Sequence, residues 1–211
     1  MTASPTLRWY FDFISPFSYL HWQKIRGLAT QQPVELVPIL FAAVLTAHGQ
    51  KGPAEIPGKR EFTYRHVLWQ ARRQGIELQF PPAHPFNPIP ALRTCIAAGT
   101  TPAAIDAIFN RIWAEGQAAD SIEVLAPVMG ALGVTADMVA SEAVKSALRD
   151  NTDAALAAGV FGVPTLQIGD ALFWGNDVHG FAMEVLHDPR SIDDPEMRRI
   201  ASLPVAVRRQ P

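Results

Sequence analysis

The sequence predicts an α/β fold in which a small sheet-based domain is interrupted in its middle by a large all-helical insertion. Three observations carry that expectation. The chain opens as strand, helix, strand; the stretch from Phe41 to Asn151 shows helix start and stop signals without a convincing strand pair; and a helix, a hairpin and a final helix follow.

Leu7 to Phe13 is nearly all apolar, as a central strand covered on both faces should be. Ser15 then supplies an N-cap and Pro16 a first helical residue, launching a helix to about Ala29. Val34 to Ile39 reads as a second strand, and strand, helix, strand implies a parallel pair with a right-handed crossover. In the helical block, Arg60 to Gln74 carries Phe62, His66, Trp69 and Arg73 on one stripe and ends at Gly75. The run Phe80 to Pro90 holds too many prolines for a helix interior and reads as an ordered loop. Leu92 to Ala98 is helical, Thr101-Pro102 caps a helix that stops at Gly116, and Asp120 with Glu123 resembles a capping box for a helix ending at Gly133. Thr135 begins another, to about Arg149. After Asn151 come a helix over Thr152 to Ala158, a hairpin with Thr165 to Ile168 and Ala171 to Trp174 around a Gly169-Asp170 turn, and a helix opened by Gly175-Asn176-Asp177 and running to about Leu186. A polar tail follows. That order matches a thioredoxin-like domain, residues 1–40 and 151–211, split by a helical insertion, residues 41–150.

Composition narrows the function. With 211 residues, 48% of them hydrophobic, the chain can bury a sizeable core. A net charge of −2 and scattered Lys and Arg give no footprint for nucleic acid. Met1 to Arg8 shows neither a basic nor an apolar leader region, and no apolar run is long enough to span a bilayer, so a cytoplasmic protein without membrane contact is expected. A single cysteine, Cys95, rules out an intrachain disulfide or a C-x-x-C pair; within its helical stretch it reads as a buried small hydrophobe. The six histidines show no metal-ligand spacing, so no metal is expected. Arg198-Arg199 and Arg208-Arg209 read as solvated ends.

Ser15, at a helix mouth, sits where the N-terminus stabilises negative charge. Pro164, in Gly162-Val163-Pro164-Thr165, opens a later strand at the bond type that most readily adopts cis. Each also has an ordinary reading: Ser-Pro is a good cap by itself, Asn176 and Asp177 are common helix starters, and Pro164 could simply begin an edge strand. Together they fall where a thioredoxin-like fold builds a thiol pocket.

Several motifs in order, spanning nearly the whole chain, carry a resemblance. They are Tyr10-Phe11-Asp12-Phe13-Ile14-Ser15-Pro16-Phe17-Ser18-Tyr19, then His84-Pro85-Phe86-Asn87-Pro88-Ile89-Pro90-Ala91-Leu92-Arg93, then Gly159-Val160-Phe161-Gly162-Val163-Pro164-Thr165 with Phe173-Trp174-Gly175-Asn176-Asp177. The chain resembles the 2-hydroxychromene-2-carboxylate isomerases, kin of the kappa-class glutathione transferases and of the periplasmic-type disulfide oxidoreductases. The resemblance implies glutathione as cofactor, with Ser15 hydrogen-bonding its sulfur and Pro16 and Phe17 beside it. Val163, before Pro164, would pair its backbone with the cysteinyl part, while Asn176 and Asp177 hold the γ-glutamyl end. Gln50 and Lys59 fall near family positions that meet the rest of the tripeptide.

By the same resemblance, the reaction interconverts 2-hydroxychromene-2-carboxylate and trans-2-hydroxybenzylidenepyruvate in the breakdown of naphthalene-like aromatics. The thiolate adds to the activated double bond, the adduct rotates, and elimination returns glutathione. Lowering a thiol pKa of about 8.5 by about two units requires roughly 2.7 kcal/mol of differential stabilisation. A helix N-terminus gives about 0.3 to 2 kcal/mol and a hydrogen bond to a charged group roughly 1.5 to 3, so Ser15 and its helix suffice. For the small aromatic carboxylate, Phe62, Tyr64 and Trp69 with Asn87 and Arg93 could form the pocket; core packing is an equal reading for Phe62 and Trp69. The family commonly continues Asn-Asp with arginine, whereas Val178 and His179 follow here. A kappa-like transferase or peroxidase and a non-catalytic thiol-peptide binding module are the alternatives, and a homodimer is expected from the relatives.

Overall fold

The computed structural model describes residues 5–207, so Arg208 and Arg209 lie outside the described residues. A four-stranded mixed sheet in the order β2-β1-β3-β4 organises the chain. Strand β1 (Leu7–Phe11) pairs in parallel with β2 (Glu35–Pro38) and antiparallel with β3 (Thr165–Ile168), which pairs antiparallel with β4 (Ala171–Trp174). Helix α1 (Pro16–Ala29) joins β1 to β2. The two halves of the sheet meet in space: Tyr10 sits opposite both Val37 and Thr165.

Strand β1 is shorter than the apolar run suggests, because Asp12 breaks the ladder. Its carboxylate accepts from the backbone N–H groups of Ile14 at 3.1 Å and Phe41 at 2.9 Å, and its carbonyl accepts from Ser15 N at 3.1 Å. A side chain that satisfies backbone donors this way makes a turn, not a strand. The aromatic side chains of β1 pack beneath it: the ring centroids of Trp9 and Phe11 lie 4.4 Å apart and those of Trp9 and Trp22 5.3 Å, both pairs stacked in the buried core.

Between β2 and β3 lie α2 (Phe41–Ala47), a single 3₁₀ turn (Pro53–Glu55), α3 (Lys59–Gln74), α4 (Ile89–Ala97), α5 (Pro102–Phe109) running into a wider π turn (Asn110–Ala114), α6 (Ile122–Ala131), α7 (Ala136–Ala140) and α8 (Glu142–Ala157). Helix α3 ends at Gly75 in a left-handed C-cap (φ 66°), as the sequence predicts. Three boundaries differ. The cap of α6 is Ser121, not Asp120 with Glu123, because the hydroxyl at 121 stands at the position that accepts from Val124 N. Ser141, extended at φ −61°, ψ 148°, splits the helix expected over Thr135 to Arg149. Helix α8 then runs without a break through Asn151 and Thr152, since nothing there stops it and both side chains are used in tertiary contacts: Asn151 Nδ2 donates to the Pro38 carbonyl at 3.2 Å, and Thr152 Oγ1 accepts from Leu40 N at 3.1 Å.

Gly175-Asn176-Asp177 forms a turn rather than the first residues of the last helix. Gly175 N donates to the Pro164 carbonyl at 2.9 Å with φ at 109°, a conformation suited to glycine, and α9 (His179–His187) starts only after it. The tail carries a 3₁₀ turn (Pro189–Ile192) and α10 (Pro195–Ala201), capped by Asp194, which the sequence reading missed. Arg198 and Arg199 make exposed ion pairs with Asp193 and Glu196 there. Cys95 is fully buried, and burial pushes its thiol pKa up, as a structural cysteine requires. No helix among the described residues is long and apolar enough to cross a membrane.

Candidate active site

Ser15 caps α1. Its Oγ accepts from Ser18 N at 3.2 Å, so one lone pair is spent on the helix while the hydroxyl hydrogen stays available to a second partner. The residue is only 7% exposed, which strengthens any charge interaction it makes. The turn that presents it is fixed on every side. Beyond the Asp12 bonds, Trp113 Nε1 donates to the Phe13 carbonyl at 2.9 Å, His84 Nε2 contacts the Ile14 carbonyl at 2.8 Å, and Ile39 N donates to the Phe11 carbonyl at 2.9 Å. Burial, with backbone hydrogen bonds opposing it, raises the Asp12 pKa to about 7.

The Val163-Pro164 loop lies beside this turn by sheet register: Tyr10 faces Thr165, so Pro164 follows at the end of β1 from which the Ser15 turn departs. The Val163-Pro164 peptide is cis. Among the described residues, the Val163 backbone makes no hydrogen bond. Gly162 is required by packing, because a Cβ there would run into the Trp174 indole.

The turn after β4 delivers Asn176 and Asp177. Asn176 is buried; its Nδ2 donates to Gln70 Oε1 of α3 at 2.8 Å and its carbonyl accepts from Lys24 Nζ of α1 at 2.9 Å. Its Oδ1 is buried and has no partner among the described residues, an acceptor left for a donor that the chain does not supply. Burial lowers the Lys24 pKa while the nearby Asp177 charge opposes that shift. His179, two residues beyond Asp177, turns inward: its Nδ1 lies 3.1 Å from His21 Nε2, and Trp9 Nε1 donates to His21 Nδ1 at 3.2 Å.

The remaining sequence candidates are dispersed around this centre. Phe17 is half-buried, its ring 6.1 Å from that of His66. Gln50 is exposed, two residues beyond His48, whose Nε2 contacts the Val160 carbonyl at 3.2 Å. Lys59 is exposed at the first position of α3. Asn87 uses its side-chain oxygen to accept from Ile89 N at 3.1 Å, and Arg93 lies in α4, which packs on α7 and α8. Among the described residues, no hydrogen bond joins either to the Ser15 turn. Phe62 and Trp69 are 67% and 58% exposed, which overturns core packing; with His66 between them they form a stacked ladder on the open face of α3.

Sequence reasoning missed the supporting residues. Asp12 was discoverable as the single acidic residue inside an apolar run, but Lys24, Gln70 and Trp113 carry no local signal, since each meets its partner across the fold.

Comparison with known proteins identifies the fold and the family. Residues 6–186 match the DSBA-like thioredoxin domain. The chain is 34% identical over 177 residues to a 2-hydroxychromene-2-carboxylate isomerase of Pseudomonas putida, covering 80% of this chain and 87% of that protein. It is 27% identical over 188 residues to a protein named glutathione S-transferase kappa 2 of Caenorhabditis elegans, covering 81% and 84%. The solved structure of a 2-hydroxychromene-2-carboxylate isomerase superposes with a TM-score of 0.75 at 28% identity, covering 91% of this chain and 98% of that one. A buried serine on a rigidly held helix mouth, set in a thioredoxin-type sheet that has no cysteine of its own there, accords with these matches: the chain belongs to the DSBA-like thioredoxin domain family and, within it, to the 2-hydroxychromene-2-carboxylate isomerase family of enzymes.

Proposed function

We propose that this chain is a glutathione-dependent isomerase that interconverts 2-hydroxychromene-2-carboxylate and trans-2-hydroxybenzylidenepyruvate, in the breakdown of naphthalene-like aromatics. The observation that carries the reading is the Ser15 hydroxyl: its lone pair is engaged by Ser18 N, so its hydrogen is free to donate to a sulfur at the positive end of α1. The orphan Asn176 Oδ1 fits the tripeptide, whose γ-glutamyl ammonium is the donor that a buried acceptor beside Asp177 would select.

When bound, glutathione supplies a thiolate that adds to the activated double bond, permits rotation about the resulting single bond, and leaves by elimination. The chain's own groups do the rest. Ser15 and the α1 N-terminus hold the sulfur ionised, the Val163 backbone aligns the cysteinyl unit against Pro164, and Asn176 and Asp177 fix the glutamyl end with Lys24 behind them. Gln50 and Lys59 serve the remaining carboxylate, Pro16 and Phe17 wall the sulfur, and Asn87 and Arg93 are the proposed contacts for the aromatic carboxylate. The exposed Phe62–Trp69 face of α3 supports pairing of two copies as a homodimer, and the protein acts in the cytoplasm.

Isomerisation followed by ultraviolet absorbance, with and without glutathione, tests the reading. Turnover should require glutathione; an equal rate without it removes the cofactor. The similarity to the kappa-class protein supports one alternative, transfer of glutathione to an electrophile. Turnover of an aryl halide with no spectral change in the chromene would favour that alternative.

A further inference from the structure

Next to the Ser15 turn lies a cleft of about 450 Å³, walled by Arg60 and Tyr64 of α3, by Phe80 and by the Pro81–Pro85 turn that carries His84. Its polar groups form a directed chain. His84 Nε2 lies 2.8 Å from the Ile14 carbonyl, which can only accept, so Nε2 bears the hydrogen and Nδ1 a lone pair. That lone pair stands 2.7 Å from the Tyr64 hydroxyl, whose single hydrogen faces two acceptors, His84 Nδ1 and, at 2.8 Å, the His84 carbonyl. Arg60 Nε donates to the same hydroxyl oxygen at 3.1 Å, and Arg60 Nη2 donates to the His84 carbonyl. Burial lowers the His84 pKa, and the Arg60 charge lowers it further against the Ile14 bond, which keeps the imidazole neutral and able to accept. Among the described residues, no hydrogen bond joins these side chains to the Ser15 hydroxyl itself.

The substrate class proposed above needs a proton carrier. In the closed chromene, the carbon bearing the hydroxyl and carboxylate is saturated, so its neighbouring double bond is not conjugated to a ketone and a thiolate has no acceptor to attack. The ring must open first. We propose that Tyr64 and His84, supported by Arg60, carry the protons of that ring opening and its reverse, an assignment that rests on the isomerase reading.

The step balances within the substrate. The Tyr64 oxygen takes the proton of the substrate hydroxyl as the Tyr64 hydrogen passes to His84 Nδ1. The electron pair of the broken O–H bond forms the ketone, and the ring C–O bond breaks with its pair on the ring oxygen. His84 then returns its proton through Tyr64 to the resulting phenoxide. Arg60, one hydrogen bond from the Tyr64 oxygen, stabilises the negative charge while the proton is in transit.

Tyr64→Phe keeps the ring that packs 4.6 Å from Phe80 and removes the hydroxyl. Its kcat on the chromene should fall by about 10²- to 10³-fold. Glutathione affinity by calorimetry and the ultraviolet absorbance of the bound thiolate should match the unaltered enzyme. On an open-chain cis-benzylidenepyruvate without the ring hydroxyl, which cannot cyclise, the variant should match the unaltered rate. His84→Gln, which keeps a donor for the Ile14 carbonyl, should show the same split and covers the case in which the tyrosine variant folds poorly. Chromene turnover within about twofold of the unaltered enzyme, or equal losses on both substrates, overturns the assignment and leaves the isomerase reading intact. If the unaltered enzyme turns over neither substrate, the isomerase reading falls and takes this assignment with it.

Discussion

At the scale of single residues, Ser15 and Asp12 divide the work between chemistry and presentation. Ser15→Ala removes a hydrogen bond to a charged sulfur worth about 1.5 to 3 kcal/mol, so the pKa of bound glutathione should rise by about one to two units, read from thiolate absorbance against pH. The helix and fold should survive, since one N-cap contributes about 1 kcal/mol; a variant whose thiolate titrates as before would remove Ser15 from the mechanism. Asp12→Ala strips two buried backbone donors of their acceptor. We expect a loss of about 2 to 4 kcal/mol in urea denaturation, with Asp12→Asn intermediate because one side-chain oxygen remains. A loss below about 0.5 kcal/mol would show that water replaces the carboxylate. The serine was legible because capping and anion binding share one local geometry. The aspartate's role was not, because its partner Phe41 lies 29 residues away.

At the scale of elements, the site is an agreement between α1, α3 and the turn before α9. Gln70 of α3 takes a hydrogen bond from Asn176 and lies 3.1 Å, through Nε2, from His66 Nε2, so it sets which way the buried amide points. Gln70→Ala should leave circular dichroism unchanged and weaken glutathione binding by about 3- to 10-fold in calorimetry; unchanged affinity would mean that Lys24 alone holds the turn. Most helices could be read from the sequence by their caps: Ser15-Pro16, Thr101-Pro102 and Gly75 all stand where local rules put them. Boundaries failed where tertiary contacts override weak local signals. Asn151 and Thr152 are weak helix formers that a local reading places between helices, but inside α8 their side chains reach Pro38 and Leu40.

For the molecule as a whole, pH sets buried groups against each other. Desolvation holds His21 well below its ordinary value of 6.5 and lowers His179 too, with the Lys24 charge adding to both shifts and the His179 charge to that of His21. The unfolded chain therefore binds protons first as pH falls through 6.5, and the stability present above that value is lost below it. Asp12 runs the other way. Its folded pKa of about 7 exceeds the unfolded 3.8, so its contribution is full below 3.8 and is lost as pH rises through about 7. The two opposing slopes overlap in the window just below 6.5. Urea midpoints across that range should be flatter for the unaltered chain than for Asp12→Asn, in which stability should climb with pH. A falling curve in Asp12→Asn would contradict the histidine assignment. By itself, the sequence determined the strand and helix order, the α1 cap, the hairpin and the lack of a resident thiol pair, because these depend on residues a few positions apart. Only the tertiary structure decided that Asn176 keeps an unpaired oxygen, that His179 turns inward to His21, and that Tyr64, His84 and Arg60 meet beside residue 15. Those outcomes depend on which distant surfaces the packed core forces together, and no local pattern records that.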